Sequence, residues 1–490
     1  MLLKKPIINI LGYISLFLGI SMFLVSLFPL INGQPDLHAF LISGIVTIFI
    51  SSITLFFTRE IETYDISLKD GFYIVTIGWI LAAIFCSLPF YLSPQFFPTF
   101  ADAVFESMSG ITTTGATVLS GKNIGEMSNG LLFWRSFIQF IGGMGIILFS
   151  IAILPLLGKG GVQLFRAEVA GPNADKITPR VKQTAKYLWS IYLILIFAEI
   201  IILYLEGLIF DIDNMSLFNA VCHSMTTIAT AGFSTLPNGI NDFNSTIVEL
   251  TIVIFMLLGA TNFTLHYLFL FKGKFEYTKD REIRYYLGIL LLMFILIFSN
   301  LFSTFGFSSF SHSLFNTVSI LTTTGYSVGN YESWPSLSKL LIFIMFFIGG
   351  TAGSTAGGIK IMRTILVFKY IRSEVRKMMH PKGVYPIMIG KNSIPDDVVR
   401  NTLGFYLFYI FIFVIGSVVF ALNGESVVTA VSASAASIGN IGPAFGDVGP
   451  LNSWGGLNPF SKFTASFCML LGRLEIFTVI VLFTKTFWKK

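Results

Sequence analysis

The chain has 490 residues, of which 54% are apolar and only 12% charged. A soluble globular protein typically carries about 25% charged residues, so that class is excluded. The net charge of +6 does not mark a nucleic-acid binder, because the basic residues are dispersed in blocks between apolar runs rather than gathered on one soluble patch.

The apolar residues form runs at 7–30, 40–57, 71–92, 131–157, 187–210, 248–271, 285–302, 337–350, 403–422 and 463–483. Most reach or approach the roughly 20 residues that cross about 30 Å of hydrocarbon. The first run is too long for a signal-peptide core and no small-residue cleavage site follows it, so it is expected to be a retained span. Residues 1–69 are predicted to form an N-terminal two-helix hairpin that acts as a packing element. Lys4, Lys5, Arg59, Lys69 and the blocks 159–186, 272–284, 360–400 and 485–490 hold nearly all the Lys and Arg, whereas 32–39 and 206–246 hold none. The positive-inside rule therefore assigns the basic connections and both termini to the cytoplasm. Cys86, Cys222 and Cys468 have neither disulfide nor metal spacing.

After the hairpin the chain reads as four units, 70–160, 161–284, 285–398 and 399–490. Each outer connection carries a small-residue segment of one design, which is what an internal repeat looks like. The segments are ESMSGITTTGAT from Glu106, HSMTTIATAGFS from His223, NTVSILTTTGYS from Asn316 and ASAASIGNIGPA from Ala433. They align without gaps on Gly115, Gly232, Gly325 and Gly442, with Ser107, Ser224, Thr317 and Ser434 eight residues earlier and Thr113, Thr230, Thr323 and Asn440 two residues earlier. A loop that dips into the membrane survives only if it lines a hydrated cavity or is buried in protein. The expected fold is thus all-α and polytopic, with four pseudo-repeated helix, pore-loop, helix units around one central pore.

Rings of backbone carbonyls can replace the hydration shell of a potassium ion. Threonine adds a hydroxyl, and glycine permits the backbone angles that turn a carbonyl toward the axis. The stretches 102–111 and 214–228 are long enough for half-helices starting at Asp102 and Asn214, favourable capping residues. Such helices would aim their negative dipole ends at a cation. The places equivalent to Glu106 hold His223, Asn316 and Ala433, so a carboxylate ring of the calcium type is disfavoured.

In the second span of the third unit, GGTAGSTAGG at 349–358 is too rich in glycine to stay helical. Broken membrane helices occur at transport sites, which makes Gly349, Gly350, Gly353, Ser354, Gly357 and Gly358 candidate gate residues. Arg473 lies inside the last apolar run, where a cation is costly and marks a functional site by default. It is expected either to raise an electrostatic barrier below the filter or to pair with an acid such as Glu199. Glu475, two residues on, would face elsewhere on a helix. Arg135, at the start of a span, is expected to snorkel. His266 and His312 lack metal spacing and are expected to be hydrogen-bonded.

The motifs ESMSGITTTGATVLSG, WRSFIQFIGGMGII, ILPLLGKGGVQLFRAE, IGGTAGSTAGGIK and LLGRLEIFTVIVLFTKTFWK resemble the bacterial Trk/Ktr/HKT superfamily, and more narrowly its TrkH-type potassium-uptake subunits. The resemblance spans essentially the whole chain, including the hairpin. It implies a potassium pore in the bacterial cytoplasmic membrane, usually dimeric in the lipid bilayer, above a ring of TrkA-type nucleotide-binding regulatory subunits. Carried over residue by residue, it assigns the potassium ion to Thr113, Thr114 and Gly115; Thr230, Ala231 and Gly232; Thr323, Thr324 and Gly325; and Asn440, Ile441 and Gly442. It also assigns an intramembrane gating loop to 349–358. The fourth loop departs most, and because Pro443 would already fix its backbone, Gly442 is expected to be the most tolerant of the four glycines. The basic blocks are expected to meet anionic lipid and, by resemblance, the regulatory ring. No H-E-x-x-H or G-x-S-x-G element supports an enzyme. A sodium-permeable channel of the same fold and a non-transport scaffold are the other readings.

Overall fold

A computed structural model describes residues 5–59, 67–153, 181–389 and 392–488. Most of the basic block 159–186 and most of the ILPLLGKGGVQLFRAE motif lie outside the described residues.

Helices Lys5–Val25 and Leu37–Phe57 form the N-terminal hairpin. Lipid offers no hydrophobic drive for helix pairing, so close approach through small residues supplies the attraction. A Cβ on Gly19 would lie 2.7 Å from the Ile48 side chain, and one on Gly44 would lie 2.9 Å from Phe23. The open end is fastened by Asn9, whose Nδ2 donates to Thr58 Oγ1 at 2.9 Å. The turn is tied to the next unit by Ser128, whose hydroxyl donates to Asp36 at 2.6 Å.

A long helix, a short helix, a loop and a second span then recur four times. The long helices are Leu68–Tyr91, Val181–Ile209, Arg281–Phe305 and Asp396–Leu422. The short ones are Phe100–Ile111, Leu217–Ile228, Ser309–Leu321 and Val427–Gly439. A two-stranded antiparallel hairpin, Met388–Ile389 with Asn392–Ser393, precedes the fourth unit. Among the described residues six helices are long and apolar enough to cross a bilayer, or eight if each bent pair is one span. Large apolar side chains such as Phe49, Phe197, Leu291 and Leu407 face outward, the surface expected toward lipid.

The sequence predicts one broken second span, and the structure breaks or kinks all four. Asn129–Ile153 kinks at Gly145, which has φ 75° and ψ 137°. Thr246–Gly259 and Phe263–Lys272 meet at 96°, and Pro459–Arg473 and Phe477–Phe483 meet at 108°. In the third unit, Ser336–Met345 and Ile361–Met379 flank the glycine-rich loop. The break of the second unit needs no glycine run, because Asn262 restarts the helix by accepting from Thr264 N at 2.8 Å. Such a cap is inexpensive in sequence and easily missed inside an apolar run.

Candidate functional site

The short helices end at the four aligned loops, so each brings the negative end of its dipole to the same place. Their starts differ slightly from the expected ones. Phe100–Ile111 is capped by Thr99, with Asp102 at its third position closing a capping box, and Leu217–Ile228 is capped by Ser216 rather than starting at Asn214. The hydroxyls eight residues before the glycines fasten two of these helices to their own first spans. Ser107 donates to Ala83 O at 2.6 Å and Ser434 donates to Phe413 O at 2.8 Å.

Past the helix ends the four loops share one backbone conformation. Thr113, Thr230, Thr323 and Asn440 all have φ between 51° and 57°, a left-handed region that costs a β-branched residue energy and marks functional segments when it recurs. The next residue donates its N–H five residues back: Thr114 to Ser109 O, Ala231 to Thr226 O, Thr324 to Ser319 O and Ile441 to Ala436 O, at 2.8 to 3.0 Å. Gly115, Gly232, Gly325 and Gly442 follow at φ 79°, 83°, 82° and 100°.

The loops close into a ring. A Cβ on Gly115 would lie 2.1 Å from Ala231 O, one on Gly232 would lie 2.1 Å from Thr324 O, one on Gly325 would lie 1.8 Å from Ile441 O, and one on Gly442 would lie 2.6 Å from Thr114 O. Each loop's carbonyl therefore abuts the glycine of the preceding unit, and the fourth returns to the first. Gly442 has the loosest of the four approaches, but a side chain there still meets both a positive φ and a neighbouring carbonyl. The closure is reinforced outside the loops, where Lys462 Nζ donates to Asp102 Oδ1 at 2.6 Å and Trp454 N donates to Thr117 O at 2.8 Å.

Arg135 does not snorkel. It is 1% exposed and its Nε donates to Glu106 Oε1 at 2.8 Å, its Nη1 to Ser234 O at 2.9 Å and its Nη2 to Thr117 Oγ1 at 3.3 Å. Glu106 also accepts from Val118 N at 3.0 Å. The carboxylate that breaks the four-fold pattern is thus the counter-ion of a buried arginine joining the first two loops. His266 is hydrogen-bonded to Tyr277 Oη and Leu258 O at 2.8 and 2.9 Å, as expected of a packed histidine.

The glycine-rich loop lies against the ends of the short helices and the first residues of the aligned loops. Gly357 N donates to Thr323 Oγ1 at 2.6 Å, and Thr355 Oγ1 is 3.3 Å from Thr230 Oγ1. Thr355 Oγ1 also donates to Ile228 O at 2.9 Å, and Thr351 N donates to Ala260 O at 3.1 Å. The loop folds tightly on itself. Gly349 N donates to Ile359 O at 2.8 Å, Ser354 Oγ donates to Thr351 O at 2.6 Å, and a Cβ on Gly349 would lie 2.2 Å from Gly357 O. Gly350, Gly353 and Gly358 complete it, Gly353 and Gly358 at φ 70° and 65°.

Arg473 ends the helix Pro459–Arg473 and grips this loop. Its Nη1 donates to Thr355 O at 2.8 Å and its Nη2 donates to Gly142 O and, at 3.0 Å, to Gly143 O. Glu199 is not its partner: that carboxyl lies beside Thr227 and Glu206. Glu475 faces away, as expected, but because the helix has already ended. It pairs with Arg363 at the start of Ile361–Met379. Glu282, which the sequence reading missed, accepts from Ala352 N at 2.8 Å and holds the loop from the other side. Its only sequence signal was an acidic residue at the first turn of an apolar run.

The profile of the TrkH family, described as a cation transport protein, matches residues 36–490. The chain belongs to the TrkH family. The Trk system potassium uptake protein TrkH of Vibrio parahaemolyticus is 38% identical over 493 residues, covering 99% of each chain. TrkH of Escherichia coli K12 is 35% identical over 493 residues with the same coverage. The crystal structure of the potassium transporter TrkH from Vibrio parahaemolyticus matches with a TM-score of 0.87 at 35% identity over 99% of both chains. The TrkH-family chain is accordingly a helical, multi-pass membrane transport protein and not an enzyme.

Proposed function

We propose that the protein takes up potassium across the bacterial cytoplasmic membrane through a filter formed by Thr113, Thr114, Gly115, Thr230, Ala231, Gly232, Thr323, Thr324, Gly325, Asn440, Ile441 and Gly442. The observation that carries this reading is the closed ring of the Thr114, Ala231, Thr324 and Ile441 carbonyls against the four glycines. Backbone oxygens without a carboxylate suit a monovalent ion that must shed and regain water quickly. Potassium uptake is also what the names of the full-length relatives state.

The loop 349–358 is the gate and Arg473 its latch, because the arginine joins a loop carbonyl to the kinked second span of the first unit. The organisation follows the four units 70–160, 161–284, 285–398 and 399–490 behind the hairpin 1–69, with both termini in the cytoplasm. Two copies form a dimer, and a TrkA-type nucleotide-binding ring engages the basic cytoplasmic face. Uptake of radioactive rubidium by purified protein in liposomes, with potassium and sodium as competitors, tests the reading. Competition by potassium well above that by sodium supports it. Equal competition by sodium would instead make the chain a weakly selective cation channel.

A further inference from the structure

The four loops share a backbone but are not braced alike. In the first, the Thr112 and Thr114 hydroxyls are hydrogen-bonded at 2.8 Å, and in the third Thr322 and Thr324 form the same contact at 2.8 Å. The second loop has Ala229 and Ala231 at these places, and the fourth has Gly439 and Ile441. Neither can make the internal bridge. The fourth loop is instead held through Asn440, whose Nδ2 donates to Thr114 Oγ1 at 3.0 Å and to Met469 O at 2.9 Å.

The second loop is held from outside by Gln139, a fully buried amide in the helix Asn129–Ile153. Its Nε2 donates to Ala231 O at 2.8 Å, and its Oε1 accepts from Phe233 N at 3.1 Å. The two bonds straddle Gly232, fixing the carbonyl before it and the N–H after it. Glycine populates both signs of φ almost equally, so the Ala231–Gly232 peptide is the element of this loop most able to turn over if left unbraced. A carbonyl oxygen has two lone pairs, so the bond from Gln139 leaves one for the ring. A neutral carboxamide serves both bonds from one side chain. A carboxylate would set an acceptor against the Ala231 oxygen.

We propose that Gln139 is a positioning residue for ion selection, supplying the second loop with the brace that threonine pairs give the first and third. This rests on the reading of the loops as a potassium filter, and the test separates the two. Q139M and Q139L each remove both hydrogen bonds at similar volume. Each variant, the wild type and G232S are reconstituted in liposomes, and rubidium uptake is measured against potassium and sodium competitors.

Two lost hydrogen bonds of ordinary net strength are expected to lower the preference for potassium over sodium by roughly fivefold or more in Q139M. A merely structural role would lower rubidium uptake without changing the competition ratio, and that result overturns the proposal. If G232S loses selectivity while Q139M keeps the wild-type ratio, the filter reading stands and the brace falls. If neither variant changes the ratio, the filter reading falls and takes the brace with it. Should Q139M fail to insert, Q139L decides in the same way, with an unchanged ratio counting against the proposal.

Discussion

A glycine with positive φ can sometimes be replaced at modest cost, but not when its missing side chain is the space another chain segment occupies. At Gly115, Gly232, Gly325 and Gly442 a Cβ would lie 1.8 to 2.6 Å from the next loop's carbonyl oxygen. Serine at any of the four should displace that oxygen and reduce the preference for potassium over sodium, as read by competition for rubidium uptake. The effect should be smallest at Gly442, where the approach is loosest, yet still present. Wild-type selectivity in all four variants would remove the filter assignment. Arg135 and Glu106 allow a second residue-scale test. Removing one member of a buried pair strands the other charge and typically costs about 3–5 kcal/mol. R135M and E106Q should each lower the thermal stability of the detergent-solubilised protein markedly, and R135M/E106Q should lose less than the sum of the single changes, because no stranded charge remains. Additive losses would mean that the two side chains act separately.

At the scale of elements, one face of the helix Asn129–Ile153 runs from the ring of aligned loops to Arg473 beside the glycine-rich loop. Arg135, Gln139, Gly142 and Gly143 recur at helical spacing along it. They reach the first two loops, the second loop alone, and Arg473 in turn. The glycine-rich loop has glycine where backbone meets backbone and threonine where it hangs from its neighbours. Deleting residues 351–355 removes those hangers and should raise basal rubidium flux while leaving the potassium-to-sodium ratio intact. R473A should also raise flux, most at low ionic strength, where a buried charge is screened least. R473K separates the two roles of the arginine. Lysine keeps the charge but cannot spread donors over three carbonyls, so flux raised as much as in R473A indicates a latch, and wild-type flux indicates a charge barrier. Wild-type flux in inserted versions of all three variants would place the gate elsewhere. The four aligned loops and the break at 349–358 were legible in the sequence, because four glycines in register and a ten-residue small-residue run are local patterns. The ion pairs were not. Arg135 stands at the mouth of an apolar run, where snorkelling is the ordinary outcome, and only the fold brings Glu106, 29 residues away, against it. The breaks of the second and fourth units were also hidden, since Asn262 and the turn at Glu475 and Ile476 leave no glycine signature.

At the scale of the whole molecule, the helix Ile361–Met379 carries the chain away from the glycine-rich loop. It starts directly after the loop, with Lys360 at its cap, and runs 19 residues, about 28 Å at 1.5 Å per residue. Arg363 anchors its near end to Glu475. Its far end exposes Arg372, Arg376 and Lys377, interleaved with the exposed apolar side chains of Ile371, Val375 and Met378. Lys369 is different, because its Nζ donates to Met388 O and so ties the helix to the strand hairpin. A body that gripped the far end would move the loop through a rigid rod, whereas anionic lipid would attract the same charges without a preferred direction. Neutralising Arg372, Arg376 and Lys377 together should therefore weaken co-purification with a nucleotide-binding ring and blunt the nucleotide response of rubidium flux. Replacing Lys369 alone should loosen the hairpin and alter the response with less effect on assembly. If the triple variant binds the ring and answers nucleotide as the wild type does, the basic end of this helix belongs to the membrane surface, and the gate must be driven through another contact.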